Sequence, residues 1–129
     1  MNVLFVCVGN SGRSVMAERL FRRAADGRHD SRSAGADPHR ETAEPAVLEA
    51  LAELGIDASD HRAHRLDDDD VAWADVVIAA CDGVCPVVPG KRYENWGIDD
   101  PYGLPVEQVR SIRDEIARRV DTLIAEIDG

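Results

Sequence analysis

Eight residues near the N-terminus, Cys7-Val8-Gly9-Asn10-Ser11-Gly12-Arg13-Ser14, have the types and spacing to handle a tetrahedral oxyanion. The pattern is C-x5-R-S. A loop of this length can curl so that its backbone N–H groups converge on one centre, and a following helix adds its positive N-terminal end. Arg13 can grip two oxygens of the bound anion. The same positive field favours the thiolate of Cys7, the nucleophilic form of cysteine. Gly9 and Gly12 are expected to supply the unusual backbone angles of the curl. Ser14 is placed to donate a hydrogen bond to the thiolate and Asn10 to brace the loop, while Val8 and Ser11 complete its wall. Alone, C-x5-R also fits a buried strand-end cysteine followed by a solvated arginine. The position between a strand and a helix favours the oxyanion site. The nucleotide-binding pattern G-x4-G-K-[ST] is not present.

A second group of chemically capable residues lies in the C-terminal half. Cys81 and Cys85 form C-x3-C, and Asp99-Asp100-Pro101 follows. On a helical turn an i,i+4 pair has Cα atoms roughly 6 Å apart, within disulfide range. Zinc is a weaker reading of the pair, because C-x3-C offers two ligands and His29, His39, His61 and His64 show no paired spacing. No resident metal or bound cofactor is therefore expected. His61, Arg62, His64 and Arg65 form a basic stretch that could steer anions, and Asp67–Asp70 reads as a solvated helix start. Arg19, Arg22 and Arg23 read as a solvent-facing set, and Trp73 and Trp96 as packing residues.

The elements that must position these groups follow from apolar periodicity. Val3–Val6 is a continuous apolar run, as in a strand buried on both faces of a parallel sheet. Val15–Ala25 has helical spacing, with Val15, Met16, Leu20, Phe21 and Ala24 on one face. A short strand is expected at Ser31–Ala34 and a helix at Pro45–Leu54, with Pro45 in its first turn and Gly55 as its stop. A short helix follows Asp67–Asp70, and Val76–Ala80 is the third strand. Residues 81–105 read as a long loop with a short strand near Arg92–Asn95. Val106–Ile127 is a long amphipathic helix with Val109, Ile112, Ile116, Val120, Leu123 and Ile127 on one face. The alternation predicts an α/β fold with helices on both faces of a sheet. Ligands bind such sheets at the carboxyl ends of the strands. Cys7 and Cys81 each lie just past a predicted strand, so neighbouring first and third strands would open both thiols onto one crevice.

Length and charge bound the rest. The 129 residues suit one domain spanning 1–129, large enough to bury a core without staples. The net charge of −10 argues against nucleic acid or an anionic membrane as partner, and any oxyanion site must carry its own local positive field. No apolar run approaches the roughly 20 residues of a membrane span. The start MNVLFVCVGN has neither a basic region nor a small-residue cleavage site. Three cysteines, an odd number, read as reactive or buried thiols of a reducing, cytoplasmic setting.

The stretch Val3–Ala17, VLFVCVGNSGRSVMA, resembles the opening of low-molecular-weight protein tyrosine phosphatases and of the arsenate reductases that share their fold. Ser33-Ala34-Gly35 is similar to the second-strand segment of that family. The stretch CPVVPGKRYENWGIDDP, Cys85–Pro101, is similar to the corresponding region of arsenate reductases, especially the short-spaced cysteine type of actinobacteria. The phosphatases share the Asp-Pro but generally lack the cysteine pair. The resemblance implies a three-layer α/β/α fold on a four-stranded parallel sheet, with covalent attack by Cys7 on the central atom of the substrate. It implies a general acid at Asp100, with Asp99 its adjacent competitor. It also implies a relay in which Cys81 and Cys85 deliver two electrons to arsenate and pass a disulfide outward to thioredoxin. A direct route, in which mycothiol with mycoredoxin resolves the arsenylated Cys7, remains open. So do a phosphatase that works through a Cys7 phosphoenzyme and a non-catalytic oxyanion sensor.

Overall fold

The computed structural model describes residues 1–81 and 91–129. Its elements run β1 (Asn2–Cys7), α1 (Arg13–Ala25), β2 (Asp30–Gly35), α2 (Pro45–Ala52), α3 (Asp68–Trp73), β3 (Val76–Ala79), β4 (Arg92–Asn95) and α4 (Val106–Asp128). The strands pair in the order β2-β1-β3-β4, and all three pairings are parallel. This is the expected α/β architecture, with each predicted element present. Boundaries differ by a few residues. The first helix begins at Arg13 rather than Val15, which brings Arg13 into its first turn. The second helix ends at Ala52, and the chain turns through Gly55 at φ 78°, a conformation that glycine adopts without strain.

β1 is buried from Val3 to Cys7, and its side chains alternate between the two faces of the sheet. Val3 and Phe5 join the large cluster built with Val15, Phe21, Val47, Leu51, Ile116 and Val120 from α1, α2 and α4. Leu4 and Val6 face the other way, toward Ala74, Val77, Val71 and Trp73 around α3. Few aromatics are available, and those inside are placed together. Phe5 lies 5.5 Å from Phe21 and 5.9 Å from Trp96, ring centre to ring centre. Trp73 instead packs at the other face, with the Arg32 guanidinium 4.3 Å over its ring.

Helix α4 buries a charge that the periodicity did not single out. Arg113 sits against the C-terminal end of α2, where it donates to the Ala50 carbonyl and to Glu53, both at 2.8 Å. Carbonyls at a helix end lack intrahelical donors, so a buried guanidinium is well used there. Arg19, read as solvent-facing with Arg22 and Arg23, is also largely buried and reaches Glu18, Asp57 and Asp60. Arg22 and Arg23 are exposed. Among the described residues, no helix is long and apolar enough to cross a membrane.

Candidate active site

The order β2-β1-β3 places a switch of direction at β1, and crevices form at the carboxyl ends of strands at such points. Cys7 closes β1 there, opposite Gly35 of β2. Ala79 of β3 pairs with Val6. Cys81 follows two residues later, and Cys7, Ala79 and Cys81 pack in one buried cluster. Among the described residues Cys7 is the free thiol, and Cys81 is disulfide-bonded. Cys85 lies outside the described residues.

The loop after Cys7 is held by hydrogen bonds more than by glycine flexibility. Its left-handed residue is Asn10, at φ 51°, whereas neither Gly9 nor Gly12 has a positive φ. Gly12 still departs from both helical and extended backbone, at φ −140° and ψ −88°, so the curl is shared between Asn10 and this glycine. Asparagine tolerates the left-handed region when its amide is anchored, and Asn10 is anchored on every side. Its N–H donates to Cys7 Sγ at 3.3 Å and its Nδ2 to Ser14 Oγ at 2.9 Å. Its Oδ1 accepts from the His64 N–H at 3.1 Å. Its carbonyl accepts from His61 Nε2 at 2.7 Å. Ser14 Oγ lies 3.0 Å from Cys7 Sγ. The sulfur therefore faces a backbone N–H and a hydroxyl, which suits a thiolate acceptor.

The glycines also serve close approach. A Cβ on Gly12 would meet Glu44 Oε2 at 2.8 Å and Pro101 Cγ at 2.9 Å. One on Gly35 would meet the Val8 carbonyl at 2.9 Å and Asn10 Cβ at 3.0 Å. Gly12 also caps α1 without a side-chain hydrogen bond, and no acidic residue sits in the first turn. The first-turn N–H groups of α1 are thus not spent on a capping side chain, the condition for receiving an anion.

The surrounding cavity, about 480 Å³, is lined by Cys7, Val8, Gly9, Ser11, Gly12, Arg13, His39, Arg40, Glu44, Asp100 and Tyr102. Asn10 and Ser14 stand behind this lining, buried. Arg13 is buried, donates to the Ile98 carbonyl at 3.2 Å, and lies 3.8 Å from Asp100 Oδ2. Asp100 faces Arg13 across the mouth, while Asp99 lines a separate hollow beside Ser111 and Arg119. Of the two adjacent carboxylates, Asp100 alone shares the Cys7 cavity among the described residues. Its Oδ1 accepts from the Tyr102 N–H at 3.0 Å, the Asx turn that orients the side chain.

Two residues of this site carry no signal in the sequence that points to it. His61 belongs by position to a basic stretch, but it is buried under the loop and supports Asn10. Burial holds its imidazole below the ordinary value, against the pull of its bond to Asn10. His64 turns to Asp70 at 2.9 Å and Arg65 to Asp37 and the Ala36 carbonyl, so the stretch does not form an anion-facing surface. Asp70 itself is buried and completes a capping box with Asp67, rather than being solvated. The second such residue is Glu44, buried beside Gly12. Its carboxyl is pushed up by burial and by Asp100, against Arg40 and Arg13. The signal available for it was its position before Pro45 at a helix start, which says nothing about a pocket.

Comparison with known proteins is consistent over nearly the whole chain. The family described as low molecular weight phosphotyrosine protein phosphatase matches residues 2–129. The protein named arsenate reductase 2 from Staphylococcus haemolyticus is 34% identical over 124 residues, covering 93% of each chain. A solved structure described as an arsenate reductase in the phosphate binding state superposes with a TM-score of 0.90 at 32% identity, covering 98% of both chains. A thioredoxin-dependent arsenate reductase from Corynebacterium glutamicum gives a TM-score of 0.82 at 38% identity, covering 98% of this chain and 61% of that one.

Proposed function

The chain belongs to the low molecular weight phosphotyrosine protein phosphatase family, and within it we propose that this protein is an arsenate reductase with Cys7 as nucleophile. The observation that carries the reading is the buried cluster joining Cys7 to Cys81 at the ends of adjacent strands. A hydrolase needs one thiol at this place, whereas reduction of arsenate needs thiols within reach of one another.

Arsenate sits on the loop of residues 8–14 and against the first turn of α1, with Arg13 gripping its oxygens. The Cys7 thiolate attacks arsenic, an As–O bond breaks, and Asp100 gives its proton to the departing oxygen, which leaves as water. With the Cys81 disulfide first reduced by an external dithiol, the Cys81 thiolate then attacks Cys7 Sγ. The S–As bond breaks, its electron pair stays on arsenic, and arsenite leaves with a Cys7–Cys81 disulfide behind it. Attack by Cys85 on Cys81 frees Cys7 and moves the disulfide outward, where an external dithiol reduces it. Thioredoxin fits that role, and the Corynebacterium glutamicum relative is itself described as thioredoxin-dependent. Such a cycle needs a compartment that keeps thiols reduced, so we place the protein in the cytoplasm. The single unit spanning 1–129 carries all of these parts.

Steady-state turnover of arsenate, coupled in turn to thioredoxin and to mycothiol with mycoredoxin, tests the reading. Cys81→Ser should lose thioredoxin-coupled turnover by about 10³-fold or more, the scale of losing one member of a catalytic set. Full activity of Cys81→Ser with mycothiol would assign the direct external-thiol route. Hydrolysis of p-nitrophenyl phosphate that outpaces arsenate reduction with every reductant would make the protein a phosphatase.

A further inference from the structure

Glu44 is a buried carboxylate in an anion pocket, and the reaction above gives it nothing to do. It is 8% exposed. It occupies the N-cap of α2, yet its side chain makes no capping hydrogen bond. Its backbone N–H donates to the Ser11 carbonyl at 2.9 Å, which ties it to the Cys7 loop. Its Oε2 presses on Gly12 closely enough that a Cβ there would be 2.8 Å away. The carboxylate therefore forms part of the cavity wall beside Cys7, Gly12 and Arg13.

A carboxylate has acceptor lone pairs and no proton to give, and burying one beside a bound anion is costly unless a proton lies between the two. The charged and titratable groups lining the cavity with it are Cys7 from β1, Arg13 from α1, His39 and Arg40 from the segment ahead of α2, and Asp100 and Tyr102 from the segment after β4. Burial and Asp100 oppose its ionised form, and Arg40 and Arg13 favour it. The remaining partner is the ligand itself. Arsenate and inorganic phosphate keep at least one hydroxyl at neutral pH. Sulfate keeps none, nor does the dianion of a phosphate monoester.

We propose that Glu44 is a specificity-determining residue that accepts a hydrogen bond from the hydroxyl of the bound oxyanion. The pocket then takes tetrahedral oxyanions that carry a hydroxyl and rejects those that do not. The inference rests on the reading of residues 7–14 as an oxyanion site. It also gives a physical reason for the pocket to favour free arsenate over a phosphate monoester. The logic is that of any site built around a buried polar group. An analogue lacking the matching group leaves it unpaired and is rejected far more strongly than one differing by a methylene. At acid pH Glu44 takes up its own proton, can donate in turn, and the discrimination fades.

The test is calorimetric titration of the reduced protein with inorganic phosphate and with sulfate at pH 7.5, for the natural chain and for Glu44→Gln. The natural protein should bind phosphate at least about tenfold more tightly than sulfate, and in Glu44→Gln that ratio should collapse toward one, chiefly by a gain for sulfate. An unchanged ratio in Glu44→Gln overturns the proposal. Should the variant not fold, equal affinities for the two anions in the natural protein overturn it by themselves. Failure of both anions to bind either protein instead overturns the oxyanion site on which the proposal stands.

Discussion

The floor and the rim of the cavity are built by different means. On the floor, Cys7, Asn10, Arg13 and Ser14 are all buried, and each polar group of Asn10 is engaged. On the rim, the Asp100 side chain is 53% exposed and Tyr102 is 73% exposed. Asp100 touches the floor through a 3.8 Å approach to Arg13 and is oriented by its own turn. The floor must present donors in fixed positions before the anion arrives, because preorganised dipoles stabilise charge without reorganising during the reaction. The rim must reach a leaving oxygen and let water and product escape, so a solvated carboxylate on a turn suits it. Damage to the floor should therefore disturb both folding and chemistry, and damage to the rim only chemistry.

Four substitutions test this contrast, in descending order of effect. Cys7→Ser should abolish arsenate turnover, because the hydroxyl that replaces the thiol is far less nucleophilic at neutral pH and cannot take part in a disulfide. Arsenite formation in a coupled assay measures it. Asp100→Asn comes next. It should lower kcat by about 10²-fold, the lower range for a general acid, with little change in KM and none in melting temperature. Asn10→Ala should cost about tenfold in kcat/KM through a misplaced loop. It should also remove about 1–3 kcal/mol of stability, because the His64 N–H loses the Asn10 Oδ1 acceptor and the Ser14 hydroxyl loses the Asn10 Nδ2 donor. Denaturant unfolding of Asn10→Ala beside Asp100→Asn tests the contrast, since equal stability loss in both would erase it.

The smallest effect is a pH dependence at His61. Its folded-state pKa is depressed by burial. The unfolded chain takes up that proton at about pH 6.5. Below that value the unfolded state binds more protons than the folded one, so stability is fully present above about pH 6.5 and is lost as the pH falls toward the depressed value. His61→Gln keeps a donor for the Asn10 carbonyl without a titrating ring. Its melting temperature should therefore fall less than that of the natural protein between pH 7 and pH 5.

The same contrast separates what was legible in the sequence from what was not. The strands and helices follow from apolar periodicity because a parallel sheet buries both faces, and Val3–Val6 and Val76–Ala80 say so directly. Cys7, Arg13 and Ser14 were legible because a short loop fixes their spacing along the chain. Asn10 was read as a brace, but its partners His61 and His64 come from more than 50 positions away, and a polar stretch with no periodicity carries no sign of where it folds. Glu44 was invisible for the same reason: its neighbours Gly12 and Asp100 meet it only in three dimensions. The left-handed angle of the curl falls to Asn10 because an anchored asparagine can hold it, while Gly12 takes an irregular backbone and admits Glu44 and Pro101.

The most direct measurement is a single-turnover count. Fully reduced protein is mixed with arsenate in the absence of any added thiol, and arsenite released and free thiols lost are counted per chain. The relay through Cys7, Cys81 and Cys85 predicts about one arsenite and about two thiols lost. Loss of no thiol and release of no arsenite would contradict it.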